Sequence, residues 1–207
     1  MAIRLFYDIR FYINYMILGI DQLLKLVKAK KLVENLSERE LTNPEGAGFD
    51  LRLGEIYEFS AKGGSASGGM GKKPVSFLGV EERKTPDVKL LAKYDPSRRK
   101  SFIFKPKSYY LIKTIEKVNT PEDILILFTP RTTIFRSGMM LFTATCSPGY
   151  RGELTFAIAN LGPCEVKIEL GARVAHAMFF QVKGKTHLYR GQWQGGRVAA
   201  KKREKQV

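Results

Sequence analysis

Two runs decide how this chain is read: Pro130-Arg131-Thr132-Thr133-Ile134-Phe135-Arg136 and, further on, Cys146-Ser147-Pro148-Gly149-Tyr150-Arg151-Gly152. The first packs two guanidiniums and two hydroxyls into a few residues. Each guanidinium offers a planar fork of donors, so such a group can hold several phosphate oxygens at once. The second run carries a turn at Ser147-Pro148-Gly149 and leads into a strand from Glu153 to Ile158. Together they read as an anion cradle beside a small buried pocket. On spacing alone, a basic surface turn leading into a hairpin accounts for the same residues equally well, since short motifs recur by chance.

Working outward, strands dominate. Phe49, Leu51 and Leu53 alternate with Asp50 and Arg52, the period of a half-buried strand, with Asp50 expected in solvent. Ser101-Phe104 and Tyr109-Ile112 are β-rich and separated by a Lys-Pro-Lys-Ser turn. Ile124-Leu125-Ile126-Leu127-Phe128 is a continuous apolar run and predicts a strand buried on both faces. Val166-Leu170 alternates cleanly, and Gly171 turns the chain into Arg173-Phe180. Short strands at roughly ten-residue spacing with Gly/Pro punctuation predict an antiparallel sandwich or jelly roll. Ahead of them, Leu23, Leu26 and Val27 form one helix face, with Lys25 and Lys28 off it. Residues 1–15 are apolar without a coherent period and read as an extension to a domain spanning 16–197. Ser60-Lys73, rich in glycine and serine, predicts a mobile loop, and 198–207 a basic tail.

A chain of 207 residues with 44% hydrophobic content suits one domain with a substantial core. No run reaches the ~18 apolar residues of a membrane span. Cys146 and Cys164 support no disulfide framework, have no metal-ligand spacing, and fit a reducing cytoplasm. The net charge of +15 favours polyanionic partners, either nucleotide phosphates or nucleic acid. It gathers at Lys28, Lys30 and Lys31, at Arg98, Arg99 and Lys100, and at Lys201, Lys202, Arg203 and Lys205. The later two clusters read as solvated surface, which disfavours a dedicated nucleic-acid binder.

The two opening runs resemble Pro-Arg-Ser-Ser-Leu-x-Arg and Ile-Asp-Pro-Gly-Tyr-x-Gly of the dCTP deaminase and trimeric dUTPase superfamily. Ala47-Gly48-Phe49-Asp50-Leu51 resembles that group's Ala-Gly-x-Asp-Leu motif. Tyr189-Arg190-Gly191-Gln192-Trp193-Gln194-Gly195-Gly196 resembles the deaminase ending Tyr-x-Gly-Lys-Tyr-Gln-Gly-Gln, with Gln192 in place of a phosphate-binding lysine. His176 stands where glutamine is common and reads as structural. The resemblance implies an all-β, distorted jelly roll of the dUTPase-like β-clip type, with a short N-terminal helix. It implies a cytoplasmic homotrimer with sites between subunits, dCTP or dUTP as ligand, and Mg2+ carried with the triphosphate. Arg131, Thr132, Thr133 and Arg136 would then hold phosphates, Thr132 and Arg136 would support catalysis, and Asp50 would position the magnesium-bound triphosphate. Tyr189 and Gln194 would touch the substrate beneath the folded tail.

The same resemblance locates what is missing. Deamination of a cytosine ring needs a group that moves protons between water, ring and leaving ammonia, and a carboxylate does this well. The deaminase glutamate aligns with Ala157, and the dUTPase aspartate that orients water aligns with Ser147. Alanine cannot move protons, and serine without a partner is a poor base. Glu153 shares a strand face with Thr155 and Ala157, but four residues of strand is ~13 Å, too far for direct replacement. Losing a general base costs ~10²–10⁴ in rate, and the zinc-deaminase signature is absent. The sequence thus describes a dCTP deaminase-like protein with activity weak or lost; the alternative is a non-catalytic deoxynucleotide-binding or regulatory homologue.

Overall fold

The computed structural model describes residues 17–59, 77–78, 82–83 and 85–200. The expected extension 1–15, the Gly/Ser loop 60–73 and residues 201–207 of the basic tail lie outside them. In chain order the elements are α1 (Ile20–Lys30), β1 (Val33–Glu34), α2 (Glu38–Thr42), β2 (Phe49–Phe59), β3 (Phe77–Leu78), β4 (Glu82–Arg83), β5 (Val88–Lys93) and β6 (Ser101–Phe104). They continue with β7 (Tyr109–Asn119), β8 (Ile124–Pro130), α3 (Thr132–Arg136), β9 (Met139–Phe142), β10 (Arg151–Asn160), β11 (Val166–Glu169) and β12 (Arg173–Gln181).

The main sheet runs β8-β12-β2-β7-β10-β9, with β1 added on β7 and β5 on β2. Strand β2 is its corner. Its first half pairs with β12, and its second half pairs with β7 and β5. Between the two, the register slips at Leu53/Glu55, where Gly54 lets the backbones meet. A Cβ on Gly54 would stand 2.9 Å from the Ile115 nitrogen and 2.9 Å from the Thr114 carbonyl carbon. At the far side, β8 reaches Cys146 through paired bonds, Ile126 N to Cys146 O at 3.0 Å and the reverse at 2.9 Å. The sheet is thereby nearly closed on itself, which removes much of the exposed edge an open sheet would present. This is the all-β, jelly-roll-like architecture that the strand spacing predicted.

Inside lie Phe49, Leu51, Leu53, Ile56, Ile112, Ile126, Ile158 and Phe179, with Phe49 edge-on to Phe179 at 5.8 Å. Helix α1 closes one end, burying Leu23 and resting Leu26 and Val27 on the core, the face its spacing marked. Ile17 bridges to Phe180, and Leu18 N donates to Phe179 O at 2.9 Å, so the described chain begins in the sheet.

Two expectations are corrected. Ile124–Phe128 is not buried on both faces: Ile124, Ile126 and Phe128 are buried while Leu125 and Leu127 are only half-buried, because β8 ends its sheet path and among the described residues no second layer packs on its outer side. Asp50 is not solvated either. It is 2% exposed, because α2 covers β2 at this point and Glu40 accepts the Asp50 N–H at 2.9 Å.

The corner at Gly54 gives a direct test. Gly54→Ala forces a methyl onto the β7 backbone, which has no flexible end to move aside. Denaturant unfolding is expected to show a loss of roughly 1–3 kcal/mol; an unchanged midpoint would mean the corner has slack.

Candidate functional site

Asp50 organises one half of the site. Its carboxylate takes Arg131 at 2.9 Å, Arg173 at 2.9 Å and the Nδ1 of His176 at 2.9 Å, with Arg39 further off at 3.7 Å. The sheet itself assembles this group. His176 is in register with Asp50 across β12 and β2, and Arg131 N donates to Val174 O at 3.0 Å. Burial opposes the charged form of Asp50, but the His176 hydrogen bond and the Arg131 and Arg173 charges outweigh it, holding the carboxyl below its ordinary range. The guanidiniums remain about one-third exposed: 37% for Arg39, 30% for Arg131 and 36% for Arg173. The result is an arginine cluster held from beneath by buried Asp50, with buried Glu40 on Arg39 at 2.5 Å and exposed Glu45 on Arg39 at 3.2 Å and on Arg131 at 3.9 Å.

Next to it, α3 carries the rest of the cradle. Ile134 is buried and anchors the helix, while Thr132, Thr133 and Arg136 are exposed. Among the described residues Arg136 has no carboxylate partner.

The second half is a cavity of about 600 Å³ at the mouth of the hairpin leading into β10. Leu111, Phe128, Leu154 and Phe156 form an apolar wall, Cys146, Ser147, Tyr150 and Thr155 add polar atoms, and Tyr189, Trp193 and Arg197 roof it. The roof is the C-terminal tail, docked on the hairpin backbone. Tyr189 N donates to Pro148 O at 2.7 Å, and Gly195 N to Arg151 O at 2.8 Å. Gln194 accepts from Arg151 N at 2.9 Å and donates to Gly149 O at 3.0 Å. Gly152, at φ 143°, makes this fit: a Cβ there would lie 2.3 Å from Gly196 N.

The cavity holds two unused recognition elements. On the β9 side the ladder of β10 begins only at Ala157, so Thr155 and Phe156 line the cavity with no strand paired to them on that side among the described residues, while the Leu154 N–H is taken by the Thr114 hydroxyl at 3.0 Å. The Thr155 hydroxyl is buried and has no hydrogen-bond partner among the described residues. An orphan buried polar group costs ~1–3 kcal/mol, so a polar ligand that satisfies it binds with that advantage. Burial pushes the Cys146 thiol up to about 11, against the hydrogen bond from Thr120, and burial likewise raises Tyr150 and Tyr189. All three therefore keep their protons at neutral pH.

The sequence-derived residues separate into two groups. Ser147 and Tyr189 line the cavity, whereas Arg131, Thr132, Thr133 and Arg136 do not. Gln194 is exposed, with its amide spent on the hairpin backbone. Ala157 is buried on β10 between Leu111 of β7 and Phe142 of β9, and Asp50 is enclosed by its cations. Sequence reading missed Arg39, Arg173, Thr155 and the contribution of Trp193. The arginines come from remote elements that no local pattern connects; Thr155 was legible only as a hydroxyl on an otherwise apolar strand.

A nearly closed antiparallel sheet carries a roofed cavity at a hairpin mouth and a separate arginine–threonine turn. The family model described as dCTP deaminase-like matches residues 17–182, and the chain belongs to that family. It is 30% identical over 165 residues to a probable deoxyuridine 5'-triphosphate nucleotidohydrolase of Methanothermobacter thermautotrophicus, covering 80% of this chain and 94% of that protein. It is 28% identical over 181 residues to a dCTP deaminase of Pyrococcus furiosus, covering 86% and 95%. In fold it is similar to the 2'-deoxycytidine 5'-triphosphate deaminase of Agrobacterium tumefaciens, with TM-score 0.57 and 14% identity over 80% of this chain and 49% of that one.

Removing the pin should loosen the whole basic surface. Asp50→Asn is expected to cost about 3 kcal/mol, the low end for breaking a buried pair because the arginines keep partial hydration. Asp50 has a folded pKa below its ordinary 3.8, so its contribution is present above that value and is lost as pH falls through the folded one. Urea midpoints of the two chains should converge on acidification below 3.8; a constant gap would show that Asp50 does not carry the charge assigned to it.

Proposed function

We propose that this chain binds a pyrimidine deoxynucleoside triphosphate of the dCTP or dUTP type and has weak or no deaminase or diphosphatase activity. One observation carries the reading: among the described residues the cavity wall contains no carboxylate and no imidazole, and Ala157 faces apolar neighbours at the family's glutamate position. The similar proteins named above act on dUTP or dCTP, which supports the ligand class. The cavity's size lies within the ~300–1,000 Å³ of small-molecule sites. A base edge fits the unpaired edge of β10 and the Thr155 hydroxyl, and the aromatic Phe156, Tyr189 and Trp193 match its ring.

The triphosphate belongs to the cradle, and here the single chain is incomplete. Cradle and cavity are separate within one copy, which supports a homotrimer in which one copy's α3 reaches another's cavity. Phe135, Met140 and Phe142, exposed beside the cradle, are the apolar surface a second copy would cover. Asp50 then acts on the phosphates through Arg131 and Arg173. It is a poor direct partner for magnesium, since guanidiniums already crowd its oxygens and would repel a second cation. Mg2+ would arrive on the triphosphate, held by phosphate oxygens and water as is usual for this ion. The family match from residue 17 supports reading 1–15 as an extension and 16–197 as the domain. Among the described residues no helix is long and apolar enough to cross a membrane, and the cytoplasmic placement rests on the cysteine usage and the family resemblance. A nucleic-acid role rests on the net charge of +15 alone.

The test is titration calorimetry with dCTP and dUTP in magnesium, beside assays for ammonia and diphosphate. Both nucleotides are expected to bind, with Arg136→Ala weakening them by about tenfold or more, as for one charge-assisted contact of ~1.5–3 kcal/mol. Product release should stay at the blank. Ala157→Glu is expected to recover partial deamination, limited by ~1–3 kcal/mol of overpacking. Robust turnover by the native chain would overturn the reading and point to a carboxylate supplied by a second copy.

A further inference from the structure

A second concavity, of about 550 Å³, lies between the end of α1, β1, the end of β7 and the start of β10. Its charged lining is Lys30, Lys31, Lys117 and Arg151 against a single acid, Glu34. Glu34 accepts from the Asn119 amide at 2.8 Å and meets Lys117 at 3.5 Å, which holds its carboxyl low and charged. Lys30, Lys31 and Arg151 have no carboxylate partner among the described residues. Four cations therefore face one cleft against the single charge of Glu34, on which Lys117 and Lys31 both act.

Lysines at a helix C-terminus are ordinarily favourable to the helix dipole, and that accounts for Lys28 and Lys30. It does not account for Lys31, which ends α1 at φ 51° with its N–H on Val27 O. Glycine is the usual occupant of such a left-handed cap, because a Cβ is unfavourable there. Nor does it account for Arg151, which reaches the same cleft from a strand. Two unrelated elements thus deliver charge to one place, and one of them does so in a conformation its side chain disfavours.

We propose that this cleft is a second anion site, distinct from the Arg131/Arg136 cradle, that takes a free polyphosphate such as the phosphate chain of a nucleotide effector. The enclosure by helix, turn and strand suits a compact anion rather than an extended strand of nucleic acid. Its position beside the nucleotide cavity is direct. Thr120 lines the cleft, its hydroxyl lies 3.3 Å from the Cys146 sulfur of the cavity, and its N–H donates to Tyr150 O at 2.9 Å. The Arg151 backbone in turn holds Gln194 and Gly195 of the roofing tail. An anion that draws Arg151 into the cleft therefore acts on the strand to which the roof is clamped.

The probe is sodium tripolyphosphate, which lacks a base, titrated by calorimetry into the full chain, into Arg136→Ala, and into Lys31→Gly and Lys31→Gly/Arg151→Gln each made in the Arg136→Ala chain. Each chain is also melted. Binding should persist in Arg136→Ala; on that background, where the cradle no longer contributes, it should fall about tenfold with Lys31→Gly, as expected for one charge-assisted contact, and disappear with Lys31→Gly/Arg151→Gln. Because glycine adopts this cap freely, Lys31→Gly should melt no lower than the Arg136→Ala chain it is made in, so lost binding cannot be blamed on lost folding. Complete loss of binding in Arg136→Ala, or unchanged binding in a stable Lys31→Gly chain, would overturn the proposal. A single-stranded oligodeoxynucleotide that outcompetes tripolyphosphate here would also overturn it, in favour of a nucleic-acid face. Failure to bind dCTP bears only on the first cavity and leaves this site standing or falling on its own data.

Discussion

The buried carboxylate of Asp50 is the constraint on which the basic surface depends. Removing a carboxylate from water costs several kcal/mol, and only good geometry with several partners offsets it. Here the offset comes from Arg131, Arg173 and His176, drawn from the β8–α3 junction and β12, with Arg39 of α2 at the edge. One interaction therefore joins three distant parts of the chain and sets where α3 leaves the sheet. The exposed residues Thr132, Thr133 and Arg136 are presented by a helix whose start is fixed in this way. Arg131 is then less a free phosphate ligand than the link between the buried pin and the exposed turn.

A second constraint is the separation of the two half-sites. The cavity is built from the hairpin, the sheet and the tail of one copy, and the turn proposed to hold phosphate lies outside its lining. On the proposed reading the two halves meet by association of copies, and Phe135, Met140 and Phe142 are exposed beside the turn. The tail adds its own restriction. Gln194 is used to hold the roof on Gly149 and Arg151, and Gly152 and Gly196 allow backbones to touch. In this arrangement Gln194 shapes the cavity from outside while Tyr189 and Trp193 form its inner surface.

Much of this was legible in the sequence, and the parts that were not have physical reasons. The alternations at Phe49–Leu53 and Val166–Leu170, with Gly/Pro punctuation, read out the strands, because period two survives wherever one face is buried. The helix face of Leu23, Leu26 and Val27 was equally plain. The run Ile124–Phe128 misled because an apolar residue on the uncovered face of an edge-lying strand looks the same as a buried one. Asp50 misled for the opposite reason. A charged residue in an alternating strand is usually solvated, and only the assembled sheet shows the arginines that bury it. The cradle and Ser147 were visible as local motifs, whereas the cavity joins hairpin, sheet and tail, and its open strand edge depends on where β9 starts.

The central claim is that the unpaired edge of β10 and the roof above it form the base-binding half of the site. Hydrogen–deuterium exchange with and without dCTP, read on peptides spanning 151–160 and 188–198, tests this most directly. The account predicts that nucleotide slows exchange in both peptides, since the base would take up the edge of Thr155 and Phe156 and hold the tail down. Unchanged exchange in both at saturating nucleotide, with protection elsewhere, would contradict it.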